Sequence, residues 1–371
     1  MGRTVKRAFR YRFYPTPEQA ALLARTFGCV RLVWNMALVE RTRRYKDEGT
    51  PTSYGEAAKW LTAWKRDPAL DFLCEVSNVP LQQALRHQQA AFNNFFSGRA
   101  GYPRLKSRRK SRASATFANN AFTYREGRLK LAKMDDPLDI RWSRPLPPEV
   151  DPTTVTVSRD AGGRWFVSIL CEDSIARLPP SDRMVGIDAG ITSLVTLSTG
   201  EKIANPRHER RDRERLAKAQ RHLSRKARGS KNWEKARHRV ARAYGRISDR
   251  RLDFLHKLST RLVRENQTLC IEDLHIRNMV KNRAMARVIS DAAWHELRSL
   301  LAYKADWYGR RLVTVDRWYP SSKLCSTTGC DYINDTVPLG VRSWTCPACR
   351  AVHDRDVNAA KNILAAGLAE R

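Results

Sequence analysis

Three carboxylates occupy settings in which a carboxylate needs a reason. Asp188 lies in Val185-Gly186-Ile187-Asp188-Ala189-Gly190, an apolar run suited to a buried strand. A lone acid there is costly unless it meets a metal or a hydrogen-bond network. The flanking glycines are expected to let a ligand backbone come close. Glu272 ends a second apolar run, Leu269-Cys270-Ile271-Glu272, and Asp356 falls in His353-Asp354-Arg355-Asp356-Val357-Asn358, at the predicted start of the last helix. Taken singly, each reads as a strand-end or helix-capping acid. Taken together, each at the edge of a core element of one α/β region, they offer the oxygen ligands of a Mg²⁺ pair whose shell is completed by water and substrate phosphate. Two ions roughly 3.5–4 Å apart would activate a water and stabilise a leaving oxygen. The expectation is phosphodiester hydrolysis by Asp188, Glu272 and Asp356.

The cysteines separate into two groups. Cys325, Cys330, Cys346 and Cys349 form C-x4-C and C-x2-C pairs, with Cys346-Pro-Ala-Cys349 as a tight knuckle. This pattern predicts a structural Zn²⁺ ribbon. His353 is an alternative ligand, although four thiolates already fill a tetrahedral site. Cys29, Cys74, Cys171 and Cys270 lie in apolar segments and read as buried small hydrophobes.

Charge says what the chemistry acts on. The 371 residues carry 69 Lys+Arg against 38 Asp+Glu, a formal +31. Folding does not need that excess, and self-repulsion opposes it. A polyanion is therefore the expected partner, and nucleic acid fits because each neutralised phosphate releases counterions. An anionic membrane is the rival. No apolar run near 18 residues is evident, and the basic, aromatic opening is unlike a signal peptide, so a membrane is not expected and a cytoplasmic setting is. Cations concentrate between residues 207 and 264, among them Arg221, Arg225, Lys226, Arg228, Lys231 and Lys235, and predict phosphate contact. Tyr11, Phe13, Tyr14, Tyr102, Trp142 and Trp165 are interleaved with charge; one or two are expected to stack on bases, and the rest to be core.

These side chains need elements to hold them. Lys6–Tyr14 alternates with period two, as a strand does. Thr16, Pro17 and Gln19 spell a helix start, and helical periodicity then runs to Phe96, broken at Gly49-Thr50-Pro51 and Asn78-Val79-Pro80. Ser97–Lys110 is a basic loop. Ala115–Ala118, Arg128–Lys130, Thr153–Ser158 and Arg164–Cys171 read as strands, which the strand near residue 10 joins. Beyond Pro179-Pro180, Arg183–Ala189 and Ser193–Ser198 form a hairpin about Gly190. Arg207–Glu265 is a basic helical hairpin broken at Gly229-Ser230. Thr268–Ile271 is a strand, Ser290–Trp307 an amphipathic helix, and Leu312–Val315 a strand, with a closing helix from about Asn358. The expected class is α+β and multidomain: a β-barrel-like module (1–14 and 103–180) with a helical insertion (15–102), then an RNase H-like α/β domain (181–371) bearing the hairpin (207–266) and the zinc ribbon (321–352).

At these motifs the chain resembles the TnpB family, transposon-encoded relatives of type V CRISPR effectors. The likeness runs through Arg12-Phe13-Tyr14-Pro15, Val33-Trp34-Asn35, Tyr102-Pro103-Arg104-Leu105-Lys106, Gly186–Ile191, Ile271-Glu272-Asp273-Leu274, Pro320-Ser321-Ser322-Lys323 and Asp354–Ala360. It implies a RuvC nuclease whose third acid is Asp356 rather than Asp354. It also implies a bound guide RNA transcribed from the transposon end, and cleavage of double-stranded target DNA beside a short flanking motif. A monomer in the RNA complex is expected. Tyr54, Gln82 and Asn119, with Tyr102, Arg104 and Lys106, carry over as nucleic-acid contacts. Val79 replaces a larger aromatic of the family pattern, so the flanking motif is expected to differ. The C-x4-C spacing departs from the commoner C-x2-C by a two-residue insertion. Rival functions are a nuclease-dead RNA-guided repressor, a strand-joining transposase and a purely structural RNA-binding protein; retention of all three acids argues against the first.

Overall fold

The computed structural model describes residues 3–147, 151–335, 338 and 340–369. The chain divides into two compact units that part at Asp173/Ser174, shortly before the Pro179-Pro180 boundary read from composition.

In the first unit, strand β1 (Arg3–Phe13) turns Val5, Phe9, Tyr11 and Phe13 inward and its basic residues outward. Thr16 caps helix α1 (Pro17–Glu48) through the reciprocal bonds with Gln19 that the sequence spelled, and Gly49 ends it in the left-handed region. Helix α2 (Tyr54–Trp64) starts at a second capping box, Ser53 with Glu56. A 3-10 turn over Pro68–Cys74 leads to α3 (Asn78–Phe96). Six strands follow: β2 (Ala113–Ala118), β3 (Phe122–Arg125), β4 (Arg128–Leu131), β5 (Ile140–Arg141), β6 (Pro152–Arg159) and β7 (Trp165–Ile175). Their main sheet has the order β2-β6-β7-β1-β5, with β3–β4 a separate hairpin. The module expected to be β-barrel-like is thus built of two sheets, the larger with β2 and β5 at its ends.

Helix α1 is the hinge of this unit's packing. Leu23 and Phe27 join the sheet core of Phe9, Phe13, Val155, Val167 and Ile169, while Cys29, Val33 and Ala37 pack with Leu61, Leu73, Leu81 and Leu85. It is also, among the described residues, a helix long and apolar enough to cross a membrane, with an 18-residue window of mean hydropathy 1.3 that is 44% buried. The sequence reading passed over it because Arg25 and Arg31 interrupt the apolar stretch.

In the second unit, β8 (Met184–Ala189), β9 (Ser193–Leu197) and β10 (Lys202–Ala204) form an antiparallel meander. The basic hairpin of α4 (His208–Ser224) and α5 (Lys231–Glu265) precedes β11 (Thr268–Glu272). Short helices α6 (Ile276–Met279) and α7 (Ala286–Ala292) lead to α8 (Trp294–Tyr308) and β12 (Arg311–Val315). Strands β13 (Ser343–Thr345) and β14 (Val352–Asp354) pair in the cysteine ribbon, and α9 (Arg355–Ala369) closes the chain. The sheet order is β10-β9-β8-β11-β12, with β8, β11 and β12 parallel. Two expectations shift. The single helix over Ser290–Trp307 is two, because Ala293 takes φ +52° and so swings Trp294 into the core, where its indole N–H donates to the Leu194 carbonyl at 3.2 Å. The last helix starts at Arg355, not Asn358, because Asp354 caps it.

Candidate active site and cysteine cluster

Parallel pairing brings two of the acids together. Ile271 is opposite Ile187, so the next residues, Glu272 and Asp188, leave neighbouring strands at the same end. Helix α9 crosses β8, β11 and β12 and brings Asp356 to that end in its first turn. Its closeness rests on two glycines. A Cβ on Gly186 would lie 2.0 Å from the Ala360 carbonyl oxygen and 2.7 Å from the Leu364 nitrogen, and one on Gly367 would lie 2.5 Å from Cys270 Sγ. Gly186 is thus required by the α9 backbone rather than by a ligand, and Gly190 by its turn, where a Cβ would meet the Ser193 carbonyl at 2.8 Å.

The three acids feel one another. Burial, then the negative charges of Asp356 and Glu272, push the Asp188 carboxyl up to about 7, with Arg355 opposing. Burial and the adjacent Asp273 raise Glu272 as well. Cations meet the cluster at one side: Arg342 Nη1 lies 3.6 Å from Asp356 Oδ1, and Lys202 Nζ lies 3.9 Å from Oδ2. Asp354 is occupied elsewhere. One oxygen accepts from Val357 N at 3.1 Å to cap α9, and the other pairs with Lys202 at 2.7 Å. The sequence reading missed Lys202, far from Asp356 along the chain, and Arg342, inside the ribbon segment but between its cysteine pairs. It also missed Asp273, which pairs with Arg298 at 2.5 Å and with Arg317; those guanidiniums hold its carboxyl below the usual range.

The four cysteines converge. Their sulfurs lie within 4.8 Å of one another, with Cys325–Cys349 at 3.6 Å and Cys330–Cys346 at 3.7 Å. Tetrahedral Zn–S bonds of ~2.3 Å demand sulfur separations of about 3.8 Å. The donor set therefore fits zinc. The longer first knuckle closes through Cys330 N donating to the Thr327 carbonyl at 3.0 Å, with Gly329 at φ +78°. His353 Nε2 lies 3.1 Å from Cys325 Sγ, beside the ligand set rather than replacing a member. The remaining cysteines divide: Cys29, Cys171 and Cys270 are buried as expected, but Cys74, at the end of the 3-10 turn, is exposed.

The nucleic-acid candidates spread over both units. The Arg86 guanidinium lies 4.9 Å over the Tyr54 ring, which sets Tyr54 by the same face of α3 as Gln82, one turn away. Tyr102 bonds Thr42 at 2.8 Å and meets Phe92 and Phe95 edge-on, and the residue stays 45% exposed. Arg104 is exposed, and its carbonyl accepts from Trp34 Nε1. Lys106 lays its ammonium 3.6 Å over the Trp34 ring, so it is packed rather than projecting. The Asn119 side chain lies outside the described residues. Arg221, Arg225 and Arg228 are exposed at the α4–α5 tip, with Lys226 partly covered. Of the interleaved aromatics, Tyr11, Phe13 and Trp165 are core, Trp142 packs on Tyr11, and Tyr14 and Tyr102 are exposed.

Comparison with known proteins gives this arrangement its relatives. Residues 149–283 match the family described as "Probable transposase", residues 294–363 a Cas12f1-like TNB domain, and residues 1–50 a helix-turn-helix domain. A protein of Streptomyces pristinaespiralis, provisionally named an RNA-guided DNA endonuclease, is 67% identical over 100% of this chain and 91% of its own. InsQ of Escherichia coli K12, provisionally named likewise, is 33% identical over 97% and 92%. The chain belongs to the TnpB family. Cas12f1, solved with sgRNA and target DNA, aligns with a TM-score of 0.59 at 12% identity over 97% of this chain and 98% of that one, which is a likeness of fold. The TnpB signatures that lie apart in the sequence meet in the fold. Asn358 and Asn362, one turn apart on α9, donate to the Ser321 and Leu324 carbonyls, and Asn358 Oδ1 accepts from Ser326 N at 2.9 Å. The Pro320–Lys323 turn and the cysteine ribbon are thereby fastened to the helix that carries Asp356.

Proposed function

We propose that this chain is an RNA-guided DNA endonuclease that hydrolyses phosphodiesters of target DNA beside a short flanking motif. The observation that carries the reading is the gathering of Asp188, Glu272 and Asp356 at one end of β8, β11 and α9, close enough for Asp356 and Glu272 to raise the Asp188 pKa. Three acids in mutual repulsion, two of them shifted upward chiefly by burial, are a site short of positive charge. That charge deficit fits divalent cations. Mg²⁺ held there would supply an activated water and charge neutralisation at the leaving oxygen. Asp188 and Glu272 would present oxygens from fixed strand ends. Asp356 would do so from a helix whose register is locked by Gly186 and Gly367, with Arg342 beside it to meet phosphate charge.

The β10-β9-β8-β11-β12 order, an antiparallel meander followed by parallel strands with α9 across them, supports the RNase H-like (RuvC) assignment. The +31 charge and the names of the relatives support a guide RNA and DNA as partners. By the same reading, Tyr54, Gln82 and Asn119 contact the flanking duplex, and the α4–α5 tip contacts nucleic-acid backbone.

The test starts from RNA that copurifies with the protein. The complex, with Mg²⁺, is given plasmids carrying the guide-matched target beside randomised flanking bases. Cleavage confined to one flanking motif, absent with Asp188→Ala and with Glu272→Gln although DNA binding persists, is the expected result. Cleavage retained by Glu272→Gln would remove the assignment. The "Probable transposase" description favours one other reading, strand joining, which predicts joined transposon ends without any RNA.

A further inference from the structure

Immediately beyond β12 the chain exposes an indole. Trp318 is 85% exposed, more than any other large hydrophobic side chain among the described residues. Its turn is nevertheless tied down. Asp316 Oδ1 accepts from Trp318 N at 2.7 Å, the Asp316 carbonyl accepts from Tyr319 N at 3.1 Å, and Tyr319 packs on the Cys270, Val313, Val315 and Ile363 cluster. The place is specific too. Val315 pairs with Glu272, Asp273 N donates to the Val315 carbonyl at 3.0 Å, and Arg317 is bound by Asp273. An exposed tryptophan on a hydrogen-bonded turn, three residues past the partner of Glu272 and next to a held guanidinium, presents an open aromatic face beside the acids.

We propose that Trp318 stacks on a nucleobase of the DNA strand being cut, with Arg317 on the adjoining phosphate, and so seats the single strand at the three acids. This rests on the nuclease reading above. A protein partner is the weaker occupant: the neighbours Asp316 and Arg317 are exposed and charged, so the apolar surface is one side chain rather than the contiguous patch a protein interface needs. One indole face is enough for one base, whatever its identity, which suits an enzyme whose sequence reading is done by base pairing. The strand is tethered by the duplexes around it, so its loading is a unimolecular equilibrium that one stacked base shifts directly.

The test uses the full chain with its copurified RNA and a guide-matched target, timing single-turnover cleavage with Mg²⁺. Trp318→Ala is expected to slow cleavage by about fivefold to a hundredfold, the range for one stacked base. Its melting temperature and its target binding in EDTA should match the wild type, and Trp318→Tyr should recover most of the rate. Targets with single abasic sites stepped along the cut strand supply the decisive readout. At one position near the cut, base loss should slow the wild type by a similar factor and leave Trp318→Ala unaffected, which loss of fold or of metal would not mimic. Equal rates for wild type and Trp318→Ala, or abasic penalties undiminished in the variant at every position, would overturn the proposal. No cleavage by the wild type on any target overturns the nuclease reading and this one with it.

Discussion

Asp188 carries the strongest consequence at the scale of one residue. Its folded pKa of about 7 stands above the ordinary 3.8, so the folded chain binds that proton more tightly than the unfolded chain. Stability of the metal-free protein must then fall as pH rises from about 4 through about 7, because the unfolded state sheds the proton first. Asp188→Asn should therefore stabilise metal-free protein at pH 8, by on the order of 4 kcal/mol at most, with the gain vanishing towards pH 4. Urea unfolding at the two pH values checks this; an equal effect at both would show that the acid is not strained by burial and its neighbours. Mg²⁺ should stabilise the wild type at pH 8 and leave Asp188→Asn nearly unmoved. Asp188 and Glu272 were legible from their apolar settings, whereas Asp356, in a charged run beside Asp354, was singled out by the family resemblance. Lys202, Asp273 and Arg342 were not legible, because surface charges announce nothing until the fold shows which carboxylate they face.

At the scale of elements, the fold was readable wherever local chemistry dictated it. The Thr16–Gln19 box and the period-two opening each gave their element, and the Gly229-Ser230 break gave the turn of the α4–α5 hairpin. What escaped was set by tertiary contact: the break at Ala293, made by a buried Trp294, and the short β3 and β5, whose strand character comes from their partners. The tightest such contact is α9 against β8. Gly186→Ala should cost at least about 3 kcal/mol, since the clash is with helix backbone that no rotamer relieves. Thermal melting and cleavage should drop together as α9 and Asp356 are displaced; a near-native melt would mean that α9 is free to slide. The ribbon leans on the same helix through Asn358 and Asn362. Cys346→Ser should lower zinc content measured by mass spectrometry and, by loosening Arg342 and the Ser321–Leu324 turn, reduce cleavage as well. Unchanged zinc would remove the cluster from consideration as a metal site.

At the scale of the molecule, the excess charge is the property to explain, and the α4–α5 hairpin shows how it is divided. Part of the hairpin's charge is matched: Arg213 with Glu209 within α4, Arg237 with Glu234 within α5, Arg250 with Asp212 between the two helices, and Arg251 with Asp291 of α7. The last two pairs hold α5 to α4 and to α7, and the C-terminal half of α5 is anchored by Leu255, Leu258, Leu262 and Val263. The tip differs, because Arg221, Arg225 and Arg228 point into solvent. Cations placed that way stabilise little by themselves, yet each one that meets a phosphate releases a counterion. Replacing Arg221, Arg225, Lys226 and Arg228 together by Gln should leave the melting temperature within a degree or two. It should flatten the slope of log affinity against log salt by about 3 for single-stranded and nearer 4 for duplex nucleic acid, given roughly 0.7 or 0.9 per phosphate contact. Filter binding of the copurified RNA across a salt series measures it. An unchanged slope would place the RNA elsewhere on the surface and return the tip to solvent. A slope that flattens for RNA but not for target duplex would assign the hairpin to the guide, and leave the DNA to the other unit's Tyr54 and Gln82.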